Sequence, residues 1–246
     1  IARRLAATVT ADHRTAEDLG QRGVGRVVTL YNYPLAGICP APRRGRFDGD
    51  LDEPVLIFVG TLGPDRGLWV MLETVACLVH EMDFPVRLLV VGGAKVPGLQ
   101  ERIEQRIEEL DIPRQVRLVG YVPHERLQEY LCQAHLGFMA YYPEVCERNI
   151  PTKLFEYMAA GLPIITTRAT MTAYFLEQVP AVIMISRQEP RDYARAIVEL
   201  WRDKSRLQEM ARAGRRAFET RYNWESEGAK LLALYRDLLG PAAPAN

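Results

Sequence analysis

The sequence lacks three features that would assign it quickly to a class. No stretch approaches the roughly 18 consecutive apolar residues of a membrane-spanning helix. The scattered cysteines form no C-x-x-C pair, which argues against a zinc site or a disulfide framework and favours a reducing, cytoplasmic setting. Basic and acidic residues both number 31, so no net charge points to a nucleic-acid partner.

What is present is typical of a globular protein, with 48% hydrophobic and 25% charged residues in a chain of 246. The chain starts at Ile1 and shows no signal-peptide pattern, so we expect a fragment whose true beginning is missing. Residues 1–34 predict a short helix near 15–19 and a strand near 27–30. Residues 35–53 are rich in proline and glycine and predict a linker.

From residue 54 onward, short apolar runs alternate with helical patterns. Runs that are apolar throughout are typical of parallel strands covered by helices on both faces. The predicted strands are 55–59, 86–91, 116–119, 136–140, 164–167 and 182–185. The predicted helices between them are 68–82, 99–110, 124–134, 152–160 and 171–178, followed by 190–202, 204–221 and 225–239. This order predicts an α/β fold, a doubly wound parallel (Rossmann-like) sheet with a helical C-terminus.

Two glycine-rich loops follow the first two strands of this sheet, where ligands bind in such folds. The first, 60–67, contains Gly60 and Arg66, whose guanidinium suits a phosphate. The second, 91–98, does not match the G-x-G-x-x-G pattern of dinucleotide-binding proteins, and it follows the second strand rather than the first. Each loop could equally be a tight structural turn.

A third loop, 147–153, leads into a short helix that Gly161 ends. Pro151 suits the first turn of a helix, and the helix N-terminus together with Lys153 could bind a diphosphate. Glu156 lies one turn further, where a carboxylate can accept hydrogen bonds from both hydroxyls of a ribose. A glutamate on a short helix more commonly belongs to a solvated face, so the residues alone leave two interpretations, a nucleotide-binding site and a solvated helix.

The run PTKLFEYMAAGLPIITT at 151–167 resembles the signature of retaining glycosyltransferases with the GT-B fold, the glycosyl transferases of group 1. The resemblance spans about 54–239 and includes VLIFVGTLGPDRG, VRLVGYVPHERLQEYLCQAHLGFMAY and RYNWESEGAKLLALY. It implies that 54–224 form the domain that binds a nucleotide-sugar donor. Residues 1–34 would be the end of an otherwise missing N-terminal acceptor domain, and 225–246 would be a helix crossing towards that domain, followed by a tail.

The resemblance also implies roles for particular residues. Glu156 would bind the ribose, and Lys153 would lie near the phosphates or the transferred sugar. Arg66 would contact the diphosphate, and the base would lie near Gly120 and Tyr121. The full predicted donor-binding set is Gly60, Thr61, Arg66, Gly120, Tyr121, Pro151, Thr152, Lys153 and Glu156.

The sequence departs from the family pattern at two positions. Thr61 replaces an arginine that usually follows the glycine of the first loop. Arg148 occupies the place of a second glutamate, with Glu147 one residue away. Either a bulge brings Glu147 into that role, or Arg148 supplies the positive charge that Thr61 lacks.

The implied reaction transfers a sugar from a UDP- or GDP-sugar to a glycan or lipid-linked acceptor and retains the configuration of the sugar. It needs no cofactor. We also expect it to need no metal ion, since no Asp-x-Asp motif follows a strand. The alternative is a degenerate module that binds the nucleotide sugar without turnover. A nucleotide-sugar epimerase is disfavoured because its catalytic groups are not evident.

The basic segment 202–221 predicts a solvated helical face, with contact to an anionic membrane surface as the alternative.

Overall fold

The computed structural model describes residues 5–39, 46–48, 53–147 and 150–240. Its centre is a six-stranded parallel sheet in the order β5-β4-β3-β6-β7-β8, preceded by a separate two-stranded parallel sheet of β1 and β2. The strands are β1 Thr8–Thr10, β2 Val27–Thr29, β3 Val55–Val59, β4 Arg87–Val91, β5 Val116–Gly120, β6 Leu136–Met139, β7 Ile164–Thr167 and β8 Val182–Ile185. The doubly wound sheet predicted from the apolar runs is confirmed.

Helices cover both faces of the large sheet and form the C-terminal part of the chain. They are α1 His13–Gln21, α2 Leu68–Ala76, α3 Leu99–Glu109, α4 Leu127–Leu131, α5 Lys153–Ala159, α6 Thr170–Leu176, α7 Pro190–Arg202, α8 Lys204–Thr220 and α9 Trp224–Leu239. The side chains of Asp203 and Asn223 cap α8 and α9 by accepting from the third backbone N–H that follows each of them. The predicted helical C-terminus is confirmed.

The central strands are buried because helices lie on both sides of them. Every residue of β3, β6 and β7 is buried, whereas β8 is half-buried at one edge of the sheet. The predicted helix 124–134 differs most from the structure. It consists of a 3-10 turn at His124–Arg126 followed by the short α4, since the chain must reach β6 within a few residues.

The N-terminal segment packs against the C-terminal helix α9. Glu227 is buried there and accepts a hydrogen bond from the backbone N–H of Tyr31 at 3.0 Å. Trp224 donates its backbone N–H to Pro34, and Arg26 pairs with Asp237 at 2.8 Å. The sequence did not predict β1, because three residues of mixed polarity are too short to show a strand pattern.

Part of the predicted linker 35–53 is anchored on the large domain. Phe47 is buried in the core, and Arg46 donates through Nη1 to the carbonyl oxygen of Ala160 at 2.7 Å. Burial lowers the pKa of the Arg46 guanidinium from its ordinary value. This segment therefore contributes to the stability of the sheet domain.

His135 joins the start of β6 to the start of β3. We expect its protonation to make the stability of the fold depend on pH. Its Nδ1 accepts the backbone N–H of Val55 at 2.9 Å, which requires an unprotonated Nδ1. Burial lowers the pKa of His135 to about 4, helped by nearby Arg46, Lys204 and Arg87. Because the unfolded chain takes up this proton at a higher pH, we expect the free energy of unfolding to fall by about 2 kcal/mol as the pH drops from 6.5 to 4.

Urea unfolding at several pH values would measure this slope. In His135→Asn, the amide oxygen can accept the same N–H without titrating, so the slope between pH 6.5 and 4 should decrease. An unchanged slope in this variant would assign the pH dependence to other groups.

Candidate functional site

The order of the strands creates a crevice between β3 and β6. These two strands are neighbours in the sheet but not in the chain, and only Leu56↔Leu136 and Ile57↔Gly137 pair between them. Such a switch point, at the carboxyl ends of the strands, is where open α/β sheets bind ligands. Beyond the last pair, the backbone N–H of Val59 donates to the hydroxyl oxygen of Tyr157 at 2.9 Å. The buried Tyr157 thus replaces the missing strand partner.

Three glycines join the loops that follow β3, β4 and β5. Gly60 donates its N–H to Val91, and Gly92 donates its N–H to Gly120, each at 2.9 Å. The φ angles of Gly60, Gly92 and Gly120 are 150°, 150° and 80°, which side chains disfavour. A Cβ on Gly92 would lie 1.8 Å from the carbonyl oxygen of Gly60. The glycines therefore shape the loops, whether or not they also contact a ligand.

A cleft of about 470 Å³ opens above these loops. It brings together four of the predicted donor-binding residues, Gly60, Thr61, Tyr121 and Lys153. The other residues that line it are Val59, Val91, Gly92, Gly93, Ala94, Lys95, Val122, His124 and Leu127. Tyr121 is 82% exposed and presents its ring to solvent at this cleft. The volume is in the range of about 300–1,000 Å³ that small-molecule sites occupy.

The sequence prediction missed Lys95 and His124. Both line the cleft, from the loops after β4 and β5. Their positions after two neighbouring parallel strands were the available signal, because such loops meet at one edge of a sheet. His124 also begins the 3-10 turn that leads into α4.

Glu156 lies behind Lys153, away from the open part of the cleft. Its Oε1 accepts from the Lys153 ammonium at 2.8 Å, and its side chain is 6% exposed. Its Oε2 is buried and has no hydrogen-bond partner among the described residues. A buried carboxylate oxygen is unfavourable without a donor, and none of the described residues supplies one to this atom.

The N-terminus of α5 differs in detail from the prediction. Pro151 and Thr152 precede the helix, which begins at Lys153. The N–H of Leu154 already donates to Pro151 at 3.1 Å, and that of Phe155 to Thr152 at 3.0 Å. These tight turns engage backbone donors that were expected to face a diphosphate, so Lys153 is the main candidate for phosphate binding on this element.

Two arginines fix the opposite end of α5. Arg46 donates to the carbonyl oxygens of Ala160 and Gly161 at 2.7 and 3.2 Å, and Arg215 from α8 donates to that of Ala159. Positive charge at a helix C-terminus is favourable, and these donors satisfy carbonyls that have no partner within the helix. Arg215 is only 17% exposed, so it does not belong to the solvated face that segment 202–221 predicted. Together, Arg46 and Arg215 fix the position of the helix that carries Lys153 and Glu156.

Arg66 lies beside the crevice but is not part of the cleft lining. Its Nη1 donates to the hydroxyl oxygen of Tyr141 at 3.3 Å, and its guanidinium lies 5.4 Å from the centre of that ring. Tyr141 in turn packs next to Gly60, since a Cβ at that glycine would lie 3.3 Å from the tyrosine hydroxyl. Arg66 could reach a phosphate near Gly60 by leaving its partly exposed position on Tyr141.

Of the two candidate catalytic residues, Glu147 does not line this cleft. Glu147 is exposed in the turn after the 3-10 segment Pro143–Cys146. Arg148 lies outside the described residues. The structure therefore leaves the choice between a shifted Glu147 and a substituting Arg148 open.

Two searches of the described part of the chain gave negative results. Its residues contain no group of three histidine, cysteine or carboxylate side chains placed to ligate a metal ion. Over the same residues, no helix has the length and apolarity needed to cross a bilayer.

A known protein family matches more than half of this chain. The family model for glycosyl transferases group 1 matches residues 53–203. A D-inositol 3-phosphate glycosyltransferase from Corynebacterium urealyticum is 30% identical over 191 residues, which are 76% of this chain and 44% of that protein. The chain thus spans less than half the length of this curated relative.

Solved structures show the same fold. Sucrose-phosphate synthase from Thermosynechococcus elongatus superposes with a TM-score of 0.77 at 21% identity, over 97% of this chain and 59% of the other. The Anabaena protein HepE, solved with UDP and glucose, superposes with a TM-score of 0.75 at 15% identity, over 95% and 64%.

The doubly wound sheet, with a cleft over the carboxyl ends of β3, β4 and β5, defines a domain of the GT-B glycosyltransferase fold. The family match then gives the assignment, and the chain belongs to the glycosyl transferases group 1.

Proposed function

We propose that this chain is the donor-binding half of a retaining glycosyltransferase. It would bind a UDP- or GDP-sugar, whose sugar the whole protein transfers to a glycan or lipid-linked acceptor. The Anabaena neighbour was solved with UDP, which makes UDP the first nucleotide to test. The four free cysteine thiols favour a reducing compartment, and we propose the cytoplasm.

The observation that carries this proposal is a contrast between two ion pairs, each formed by a buried glutamate and a more exposed lysine. Lys153–Glu156 and Lys230–Glu227 have the same spacing, with N···O distances of 2.8 and 2.7 Å. Glu227 also accepts the N–H of Tyr31, so both of its oxygens have partners. Among the described residues, by contrast, Oε2 of Glu156 has no partner, and the Lys153 that binds its other oxygen lines the cleft. The ribose hydroxyls of a nucleotide would supply that donor once the Lys153 ammonium moves aside.

The positive charges at the crevice suit the chemistry of glycosyl transfer. Cleavage of the bond between the sugar and the phosphate builds negative charge on the nucleoside diphosphate that leaves. Lys153 in the cleft and Arg66 beside it can stabilise that charge in the transition state, which lowers the barrier. Attack from the same face, with the leaving phosphate accepting the proton of the acceptor hydroxyl, would retain the configuration. Glu147 or Arg148 completes the site in this proposal.

A degenerate module that binds a nucleotide sugar without turnover is the second candidate. Thr61, which lines the cleft, provides a neutral side chain where the family pattern has an arginine. Donor binding is common to both proposals. Turnover by the full-length protein, and its loss in Glu147→Ala, would favour the enzyme with Glu147 in the catalytic role.

We also propose that the N-terminal segment belongs to a second domain, the acceptor domain. Residues 8–29 form a parallel β–α–β unit with only two strands, and parallel sheets are normally larger and covered. The outer face of α9 leaves Leu232, Tyr235 and Leu239 exposed. Residues 54–224 would be the donor domain, and the missing part of the acceptor domain would cover these surfaces.

Calorimetric titration with UDP, GDP and ADP tests donor binding directly. We expect saturable binding of UDP or GDP that persists in EDTA, because Lys153 and Arg66 supply the positive charge. Loss of binding in EDTA would contradict the metal-independent proposal. Absence of binding by all three nucleotides would contradict the donor-binding function.

A further inference from the structure

A second groove of about 470 Å³ lies between α8 and the start of β8. Strand β8 is the edge of the sheet opposite β5, and Val182 is its first residue. The groove therefore lies near the amino end of the sheet, whereas the donor cleft lies at the carboxyl ends of β3, β4 and β5. Its lining residues are Pro180, Val182, Ile183, Arg206, Glu209, Met210, Arg212, Ala213 and Arg216. The two sites share no residue.

The basic residues of α8 fall into two groups. Lys204 and Arg215 serve the fold, since the Lys204 ammonium lies 3.2 Å from the centre of the Trp201 ring and Arg215 donates to Glu219 and to backbone carbonyls. The other three, Arg206, Arg212 and Arg216, line the groove. Within the described part of the chain, these three guanidinium groups form no hydrogen bond or ion pair. They are available to a ligand.

The lining of the groove carries an excess of positive charge. Arg212 and Arg216 are one helical turn apart and repel each other. Glu209 is the single acid of the lining, and among the described residues no ion pair joins it to the three arginines. Three positive charges against one negative charge leave a local excess that an anion would neutralise.

The shape and chemistry of the groove indicate the class of anion. Guanidinium groups present paired donors that match phosphate oxygens. Val182, Ile183, Met210 and Ala213 add apolar surface between these charges. We propose that the groove is a second binding site, separate from the donor cleft, for a phosphate-bearing ligand with an apolar portion. A soluble alkyl phosphate and a phospholipid headgroup share this chemistry.

The test compares two charge-matched triple variants of the full chain. The groove variant is Arg206→Gln/Arg212→Gln/Arg216→Gln. The control is Arg22→Gln/Arg114→Gln/Arg117→Gln, which removes three exposed arginines elsewhere. The probes are hexyl phosphate in solution, and phosphatidylcholine vesicles with and without phosphatidic acid. We expect the groove variant to bind the probe at least tenfold more weakly than wild type, and the control to bind it as wild type does.

The two probes separate the possible sources of the ligand. Saturable binding of hexyl phosphate supports a soluble ligand, whereas binding only to phosphatidic acid vesicles supports a lipid headgroup. Binding of neither probe by wild type, or an equal loss in both variants, would overturn the proposal. UDP affinity should be the same in all three proteins, so this result does not depend on the proposed function. If the groove variant unfolds at a lower temperature, Arg212→Glu alone should still weaken the probe.

Discussion

Replacing Glu156 by glutamine should weaken the binding of UDP at least tenfold while leaving the fold intact. The amide retains one acceptor but loses the charge, and a hydrogen bond to a charged group contributes about 1.5–3 kcal/mol. The free energy of unfolding should change by less than about 1 kcal/mol, because the Lys153 side chain is partly exposed and water can solvate its freed ammonium. Calorimetric titration and urea unfolding would measure the two effects.

Glu227→Gln is the matched control, since it alters a glutamate with the same burial and the same lysine spacing. It should lower the free energy of unfolding by about 1–2 kcal/mol, because Glu227 joins α9 to Tyr31, and it should leave the affinity for UDP unchanged. If both variants lost UDP equally, the effect would be structural. Unchanged affinity in Glu156→Gln would reject the ribose role.

Gly92→Ala should lower the free energy of unfolding by more than about 3 kcal/mol and abolish UDP binding. The new Cβ would lie 1.8 Å from the carbonyl oxygen of Gly60, which is backbone and can move only if the loops after β3 and β4 separate. The φ angle of 150° adds strain of about 1–3 kcal/mol. Because these two loops line the cleft, their separation would change its shape. Thermal unfolding and UDP titration would follow both consequences.

Alanine substitutions at two other glycines distinguish the effect of backbone strain on stability from the effect of steric overlap. Gly120 has a φ angle of 80° but open space around it, so Gly120→Ala should cost only about 1–2 kcal/mol. Gly25 has open space and no such angle, so Gly25→Ala should change stability by less than about 0.5 kcal/mol. A ranking other than Gly92, Gly120, Gly25 would contradict the proposed role of the contact between the loops.

The sheet could be predicted well from the sequence, because each strand is indicated by a short apolar run that is read without knowledge of distant contacts. The mainly apolar runs gave all six strands of the large sheet to within about one residue at each end. The glycine loops and the neighbourhood of Lys153 and Glu156 could also be located, because parallel strands place their following loops at one edge. The salt bridge between Glu156 and Lys153 could not be predicted, since it depends on side-chain conformation.

What the sequence did not predict depends on contacts between distant residues. Arg46 and Ala160 are 114 positions apart, and Tyr157 is 98 positions from its partner Val59. Arg215 looked like one of several basic residues on a solvated helix, and only packing distinguishes it from Arg212 and Arg216. Periodicity identifies a buried face but does not identify the residue that the face contacts.

The two arginines at the C-terminal end of α5 show that the folded domain extends beyond the part of the chain that the family model matches. The family match covers residues 53–203, yet Arg46 lies before that range and Arg215 after it. The ring of Phe155 likewise packs between Tyr33 and Tyr222, which lie on either side of the match. A polypeptide cut at the limits of the match would keep Lys153 and Glu156 but lose the residues that anchor their helix. Dissection of this protein should therefore follow these tertiary contacts rather than the boundaries of the homologous region.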